Sequence, residues 1–309
     1  MTRHGARIGL ALGSGAAKGW AHIGVIRALE AMGVQIHVVS GSSIGALVGA
    51  AYAAGRLDAL EAWVRRLTWR DVLQNMDISL QGGGFIHGDK VMQVFRRHVE
   101  GETIEGLSRP FAAVATDLHT GQEVWLREGS LLEGVRASIA LPGLFTPLRY
   151  GDRWLVDGGL VNPVPVSLCR AMGADVVIAV NLNDDILKKR RAREQPEPQP
   201  LPAKVEADLW EQFSQRVSEL VNAQVDKLNL PLLRNNRDAP GLLDVVLGSL
   251  YIMQDRLTRS RMAGDPPDIT LSPRLAHIGL MEFHQAEEVI AVGEATVERL
   301  APAIRDVLG

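Results

Sequence analysis

The chain lacks several features that would place it outside the cell or in a membrane. Cys169 is its one cysteine in 309 residues, so no disulfide can form within it, which suits a reducing compartment. No apolar run reaches the roughly 18 to 20 residues of a membrane-spanning helix. The first apolar run breaks into glycines too early for a signal peptide. We therefore expect a cytoplasmic protein.

The chain also lacks an excess of charge of either sign. The net charge is −3, and charged residues make up 22% of the sequence, so nothing indicates a nucleic-acid partner. Hydrophobic residues make up 46%, which is ordinary for a soluble globular protein. At this length the chain could form one large domain or two small ones.

Two patterns alternate along the first 180 residues. Short runs that are apolar on both faces, as in buried strands, alternate with longer segments of helical periodicity. This alternation predicts a three-layer α/β/α fold with a mostly parallel central sheet. The predicted strands are 6–12, 34–40, 111–118, 123–128, 152–159 and 174–182, and of these 111–118 and 123–128 form a hairpin. The predicted helices are 20–33, 44–54, 57–69 and 162–173.

The pattern changes after residue 182. Residues 183–204 contain the basic run KKRRAR (188–193) and then a proline-rich stretch, which indicates a linker or a surface insertion. We predict one domain, with an α/β core at 6–182 and a helical C-terminal insertion within 205–309 whose last strand and helix return to that core. The strand is predicted at 267–273, and the helices at 205–225, 242–262 and 285–308.

A serine with glycines on both sides lies between a predicted strand and a predicted helix. In GSSIG, Ser43 stands between Gly41 and Gly45. A nucleophile elbow needs this context, because a strained turn projects the hydroxyl above the sheet and its neighbours pack too closely for a Cβ. The helix N-terminus would then face the developing negative charge. The alternative is a glycine-rich turn in which Ser43 only caps the helix.

A second glycine-rich loop, GSGAAKG, runs from Gly13 to Gly19 after the first predicted strand. It departs from the dinucleotide-binding pattern, because Lys18 stands where the third glycine belongs. A nest of backbone amides at a helix N-terminus fits the loop, and such a nest holds an oxyanion as well as a phosphate. Lys18 favours an anion. The alternative is a tight turn with an exposed lysine.

Asp157 ends another predicted strand and is followed by Gly158 and Gly159. Asp-Gly is a common turn dipeptide, so a turn alone explains it. If this strand lies next to the strand before Ser43, the carboxylate could accept the serine proton directly. Such a base is weak in water, so it would need a partly desolvated site to raise its pKa.

No histidine carries a motif that marks it as a general base. A Ser-His-Asp triad would need one, and of the eight histidines His22 is the one expected near the site, because it follows the glycine loop. A serine that works with an aspartate alone is therefore an open alternative. A further serine, Ser138 in RASIALPG, lacks a preceding strand, and we expect it to be structural.

The glycine loop, the GSSIG turn and the Asp157 turn, in that order, resemble the patatin-like phospholipase family. The resemblance covers about residues 6–182. Five segments resemble the RssA-type bacterial branch of the family in particular: LALGSGAAKGWAHIGVI, VVSGSSIGALVGAAYA, FAAVATDL, RASIALPGLFTP and WLVDGGLVNPVP.

The resemblance implies hydrolysis of lipid acyl esters by a Ser-Asp dyad, without histidine, metal or cofactor. By position, Ser43 would be the nucleophile and Asp157 the base. The substrate would be a phospholipid, a lysophospholipid or another acyl ester. The elbow and turn glycines would be Gly41, Gly45, Gly158 and Gly159.

The resemblance also assigns the glycine loop to the oxyanion hole. The amides of Gly15, Ala16 and their neighbours would hold the oxyanion, with Lys18 in the position of the family's Arg or Lys. Plant members have three glycines where this chain has Ser14, Gly15 and Ala16. Two of these positions therefore carry side chains, which could narrow the hole.

Other functions remain open at this point. A low-turnover regulatory or lipid-binding module could use the same fold, although both dyad residues are intact. An acyltransferase would pair the serine with a histidine, and a nicotinamide enzyme would need an intact glycine fingerprint. The basic run could bind anionic headgroups, and the helices that follow it could form a lid. If they do, the protein would contact the inner membrane surface peripherally. The alternatives are that the basic run is a solvated linker and that the helices pack on the sheet.

Overall fold

The structure, a computed structural model, describes residues 5–68, 70–71, 92, 95–96, 99, 101–142, 144–184 and 242–309. Within these residues an eight-stranded sheet forms the centre of the protein. Its strands are β1 Ile8–Leu12, β2 Val38–Ser42, β3 Phe111–Asp117, β4 Glu123–Leu126, β5 Leu148–Tyr150, β6 Arg153–Asp157, β7 Val176–Val180 and β8 Ile269–Leu271.

The strands β3, β2, β1, β7 and β8 follow one another in this order and run parallel. Every residue of β2, β3 and β7 is buried, which requires helices on both faces of the sheet. The register pairs Gly9 with Val38 and Leu12 with Gly41. The carboxyl ends of β1 and β2 therefore lie at the same edge of the sheet, and the loops after them are neighbours.

The antiparallel strand β6 reaches the same place from the opposite direction. Ser42 of β2 pairs with Val114 of β3, and Asp157 of β6 pairs with Ala115 of β3. A strand has two edges, and each edge holds one partner at a given position. Because β4 pairs with both Val114 and Ala115, β2 and β6 must share the other edge of β3. Their carboxyl ends therefore meet end to end.

Helices cover both faces of this sheet. The helix after β2 is buried along all ten of its residues, because its small side chains let it lie close to the strands. The helices are α1 Ala21–Ala31, α2 Ile44–Ala53, α3 Leu57–Val64, α4 Leu131–Ser138, α5 Val166–Ala171, α6 Leu242–Gly264 and α7 Ala286–Leu308, with short 3-10 helices at Ala16–Trp20, Gly158–Leu160 and Phe283–Gln285.

Two glycines allow the C-terminal helix to reach the first helix. A Cβ on Gly24 of α1 would collide with the carbonyl oxygen of Ile290, and a Cβ on Gly293 of α7 would collide with that of Ala21. The two helices therefore touch through their backbones. The contact shows that the end of the chain packs against its beginning, on one face of the sheet.

The predicted three-layer α/β/α fold with a mostly parallel sheet is confirmed. The strand predicted at 267–273 does return to the sheet, as β8 beside β7. From the sequence, the strand of Asp157 could lie beside the strand before Ser43, and this expectation was wrong. The Asp157 strand, β6, instead meets the carboxyl end of β2 along the same edge of β3. Most of the 183–204 segment and the helix predicted at 205–225 lie outside the described residues, so the division into domains stays a prediction. No helix within the described ranges is long and apolar enough to span a membrane.

Candidate active site

Ser43 occupies a strained turn between β2 and α2. Its backbone angles are φ 56° and ψ −126°, a region that side-chain-bearing residues rarely adopt. Holding such a residue there costs of order 1–3 kcal/mol. The surrounding fold therefore maintains the turn that the elbow prediction required.

The glycines on either side of Ser43 are places where backbone meets backbone. A Cβ on Gly41 would collide with the backbone of Ala46, and a Cβ on Gly45 would collide with the carbonyl oxygen of Leu12. No flexible side chain is available to move aside in either contact. The expectation that both neighbours pack too closely for a Cβ is confirmed.

The side chain of Ser43 meets the side chain of Asp157. The Ser43 hydroxyl donates a hydrogen bond to Asp157 Oδ2 at 2.5 Å, and the amide of Gly159 donates to Asp157 Oδ1 at 2.7 Å. Asp157 is fully buried, whereas Ser43 is half-buried. Its hydroxyl can therefore be reached from outside, while the carboxylate is shielded from water.

Burial sets the protonation of Asp157. It raises the pKa of the carboxyl group from 3.8 to about 7, against the opposing effect of the hydrogen bonds from Ser43 and Gly159. A carboxylate in water is too weakly basic to take a serine proton, and desolvation corrects this weakness. From the sequence, Asp157 requires a partly desolvated site if it is to act as a base, and its burial provides one; the role itself stays a prediction.

The turn that carries Asp157 is fixed by its neighbours on β3 and α6. The hydroxyl of Thr116 donates to the carbonyl oxygen of Asp157 at 2.7 Å. A Cβ on Gly158 would collide with the backbone of β3, and a Cβ on Gly159 would lie 2.6 Å from the Gln254 amide nitrogen of α6. Close packing therefore requires a glycine at Gly158, whereas at Gly159 the nearest atoms belong to side chains that can move.

Ser138 has a place in the site that sequence reasoning missed. It is the last residue of α4, it is fully buried, and its hydroxyl accepts a hydrogen bond from the amide of Ser43 at 3.0 Å. This contact anchors the backbone of the strained turn. Its segment belongs to the family resemblance, but nothing in its local pattern indicated a contact with Ser43.

The glycine loop presents two backbone amides beside Ser43. The amides of Gly13, Ser14 and Ala17 donate to carbonyl oxygens of neighbouring segments at 2.8 to 3.2 Å. Among the described residues, none provides a backbone acceptor for the amides of Gly15 and Ala16. Ala16 has a φ of 48°, which turns successive amides in the manner of an anion-binding nest.

A pocket connects these groups. Its empty volume of about 330 Å³ includes space that is open to solvent. The residues that line it are Ser14, Gly15, Ala16, Ser43, Leu141, Leu250, Tyr251, Gln254 and Leu280.

Lys18, Gly13 and Gly19 are not among the residues that line this pocket. Lys18 has 4% of its surface exposed, so the alternative of a tight turn with an exposed lysine is wrong. A Cβ on Gly13 would lie 2.6 Å from the carbonyl oxygen of Val180, and a Cβ on Gly19 would collide with the side chain of Ile44. Gly13 and Gly19 therefore shape the loop.

His22 contacts the backbone of the glycine loop and not the side chains of Ser43 or Asp157. It is fully buried, and its Nε2 lies 2.8 Å from the carbonyl oxygen of Gly13. Burial lowers its pKa to about 4, so the ring is neutral near pH 7. In the part of the chain that the structure describes, no histidine is hydrogen-bonded to Ser43 or Asp157, and no group of three His, Cys, Asp or Glu could hold a metal ion.

Helix α6 closes one side of the pocket. Gln254 accepts hydrogen bonds from the Ser14 hydroxyl and from the side-chain amide of Asn183, both at 3.4 Å. Tyr251, one turn earlier on the helix, also faces the pocket. The sequence predicts this helix and leaves open whether it forms a lid or packs on the sheet. It does not predict which of its residues line the pocket.

Comparison with known proteins gives the family of the chain. The family model described as patatin-like phospholipase matches residues 10–170. An uncharacterized NTE family protein of Mycobacterium bovis and another of Mycobacterium tuberculosis are each 34% identical to this chain, over 94% of it and 89% of the relative.

Two further proteins are more distant. Patatin-like phospholipase domain-containing protein 6 of Mus musculus is 35% identical over 58% of this chain, which is 14% of the mouse protein. The crystal structure of VipD from Legionella pneumophila is similar at a TM-score of 0.38 and 13% identity, over 98% of this chain and 78% of VipD. The family match and the mycobacterial relatives show that the chain belongs to the patatin-like phospholipase family.

Proposed function

We propose that the protein is a serine hydrolase of lipid acyl esters, with Ser43 as nucleophile and Asp157 as base. The observation that carries the proposal is the 2.5 Å hydrogen bond from the hydroxyl of a strained serine to a buried carboxylate. A serine held in this way has its acceptor in place before any substrate arrives. Membership of the family supports a lipid ester as the substrate class.

In the acylation step, the Ser43 oxygen attacks the ester carbonyl carbon, and the hydroxyl proton passes to Asp157. The carbonyl oxygen becomes an oxyanion, which the amides of Gly15 and Ala16 and the N-terminus of α2 stabilise. The bond to the leaving oxygen then breaks. Asp157 returns its proton to that oxygen, so that the products are an alcohol and an acyl-enzyme.

In the deacylation step, water takes the place of the alcohol. Asp157, again ionised, accepts a proton from the water, whose oxygen attacks the acyl carbon. Collapse of the intermediate breaks the bond to Ser43, and Asp157 returns the proton to the serine oxygen. A base with a pKa of about 7 suits both directions of proton transfer, because it is close to the ambient pH.

The pocket favours an apolar acyl group beside the polar reaction centre. Three leucines, Leu141, Leu250 and Leu280, line it together with the loop backbone. A phospholipid, a lysophospholipid or another acyl ester offers this combination of an ester and an apolar chain. The basic run at 188–193 lies outside the described residues, so anionic-lipid binding and peripheral membrane contact stay predictions.

Labelling by a fluorophosphonate probe, with the labelled site mapped by mass spectrometry, tests the proposal. We expect the wild type to be labelled at Ser43 and Ser43→Ala to remain unlabelled. Asp157→Asn should be labelled at least about 100-fold more slowly than the wild type, because a general base typically raises the rate by about this factor or more. Ser42→Ala is the matched control, because it removes the adjacent hydroxyl and should leave the labelling rate unchanged.

The pH dependence of labelling sharpens the test. Below a pH of about 7, the rate should fall about tenfold per unit as Asp157 becomes protonated. A folded wild type that is not labelled at any pH would contradict the proposal. It would favour the alternative of a regulatory or lipid-binding module.

A further inference from the structure

We propose that Tyr251 of α6 is a further catalytic residue, whose phenol donates a hydrogen bond to the leaving-group oxygen of the ester. The proposal rests on the hydrolase proposed above. It assigns a chemical role to a helix in the second half of the chain, outside the residues 10–170 that match the family model.

The first observation is a buried hydroxyl group that has no partner. The Tyr251 oxygen is buried and has no hydrogen-bond partner among the described residues. Buried phenols usually have one, and the other two of the three tyrosines do: Tyr52 donates to Glu30 at 2.8 Å and Tyr150 donates to the carbonyl oxygen of Glu128 at 3.3 Å. An unpaired donor of this kind indicates a ligand.

The second observation is the location of this donor. Tyr251 lines the same pocket as Ser43. One turn later on α6, Gln254 lies against Gly159, two residues after Asp157. This part of the helix therefore faces the Asp157 side of the pocket. The leaving oxygen must come to that side, because Asp157 delivers the proton to it.

Burial, together with the charge of Asp157, keeps the phenol of Tyr251 protonated. Burial and this nearby charge both raise the pKa of Tyr251 above its ordinary value of 10.0. The phenol is therefore a hydrogen-bond donor across the working pH range and keeps its own proton. When the carbon–oxygen bond breaks, negative charge collects on the leaving oxygen until the proton from Asp157 arrives. A hydrogen bond from Tyr251 would stabilise that charge.

This role makes the benefit depend on the leaving group. An alkoxide is a poor leaving group, because its oxygen carries a full negative charge that a hydrogen bond from Tyr251 would stabilise. In p-nitrophenolate the ring delocalises this charge, so the hydrogen bond matters less. The test compares the p-nitrophenyl and ethyl esters of one short fatty acid, with the wild type and Tyr251→Phe. We expect kcat/KM to fall about 10- to 100-fold for the ethyl ester and less than about 3-fold for the p-nitrophenyl ester.

Two controls separate this role from a structural one. Tyr150→Phe removes a phenol outside the pocket and should leave both values of kcat/KM unchanged. Tyr251→Phe should melt at or above the temperature of the wild type, because the hydroxyl that it removes has no protein partner to lose.

An equal loss of kcat/KM with both esters, or no loss with either, would overturn the role of Tyr251 and leave the hydrolase intact. Fluorophosphonate labelling of Ser43, in which fluoride leaves, should be retained in Tyr251→Phe. If the wild type itself is not labelled, the hydrolase fails, and the role of Tyr251 fails with it.

Discussion

Replacing Asp157 by asparagine is expected to stabilise the folded protein at alkaline pH while it removes the proposed base. The reason is the direction of the pKa shift. The carboxyl group has a pKa of about 7 in the folded protein, against 3.8 as its ordinary value. The folded state therefore binds the proton more tightly than the unfolded state does, and the ionised carboxylate opposes folding.

The size of the effect follows from the shift. A difference of about 3 pH units at about 1.4 kcal/mol per unit gives about 4 kcal/mol. This penalty is absent below about pH 4, grows between pH 4 and 7, and is complete above about pH 7. A salt-bridged aspartate has the opposite effect, because its ionised form stabilises the folded state. At pH 5 about 2 kcal/mol of it has developed. Asparagine has nearly the same shape and can keep the hydrogen bond from the Gly159 amide.

Urea unfolding at pH 5 and pH 8, followed by tryptophan fluorescence, measures this effect. The free energy of unfolding of Asp157→Asn should exceed that of the wild type by roughly 2 kcal/mol at pH 5 and by roughly 4 kcal/mol at pH 8. Asp152→Asn is the control, because it changes an exposed carboxylate between β5 and β6. Its stability should follow that of the wild type at both values of pH.

A difference between Asp157→Asn and the wild type that is the same at pH 5 and pH 8 would refute this reasoning. A variant that is less stable than the wild type at pH 8 would also refute it. Either result would mean that the carboxylate is better solvated or better paired than its burial indicates.

Two other substitutions test the support of the elbow. Ser138→Ala removes the acceptor of the Ser43 amide, so kcat/KM should fall about tenfold with the fold intact, as judged by circular dichroism; an unchanged kcat/KM would show that the turn holds without it. Gly45→Ala places a Cβ against the carbonyl oxygen of Leu12 and should lower the free energy of unfolding by more than about 3 kcal/mol in a urea titration. Gly55→Ala, where the Cβ would meet open space but φ is +67°, should lose only about 1 kcal/mol, and equal losses in the two variants would contradict the argument from close packing.

The parts of the site that sequence could predict are those whose chemistry is local. The elbow needs a strand, a strained turn and a helix in succession, and residues 38–53 contain all three. The strands of the parallel sheet were also predictable, because apolar residues on both faces have few alternatives. The family resemblance then linked Ser43 to Asp157 across 114 residues.

The remaining parts depend on pairing and packing that no local pattern encodes. Periodicity indicates that a segment is a strand but not which edge it joins, so the end-to-end meeting of β2 and β6 could not be foreseen. Amphipathicity shows that α6 has a buried side but not that this side holds Tyr251. The loop pattern placed Lys18 with the anion-binding residues and left an exposed lysine as the alternative, but it could not show that the side chain is buried and does not line the pocket.

The shared edge of β3 gives the two residues of the proposed dyad unequal mechanical support. Ser43 follows a strand inside the parallel sheet, whereas Asp157 follows β6, whose hairpin partner β5 has three residues. Edge elements open at lower free energy than core strands. Brief opening of this hairpin would move Asp157, the proposed base, away while Ser43 keeps its place. On warming, catalytic competence should therefore disappear before the molecule as a whole unfolds.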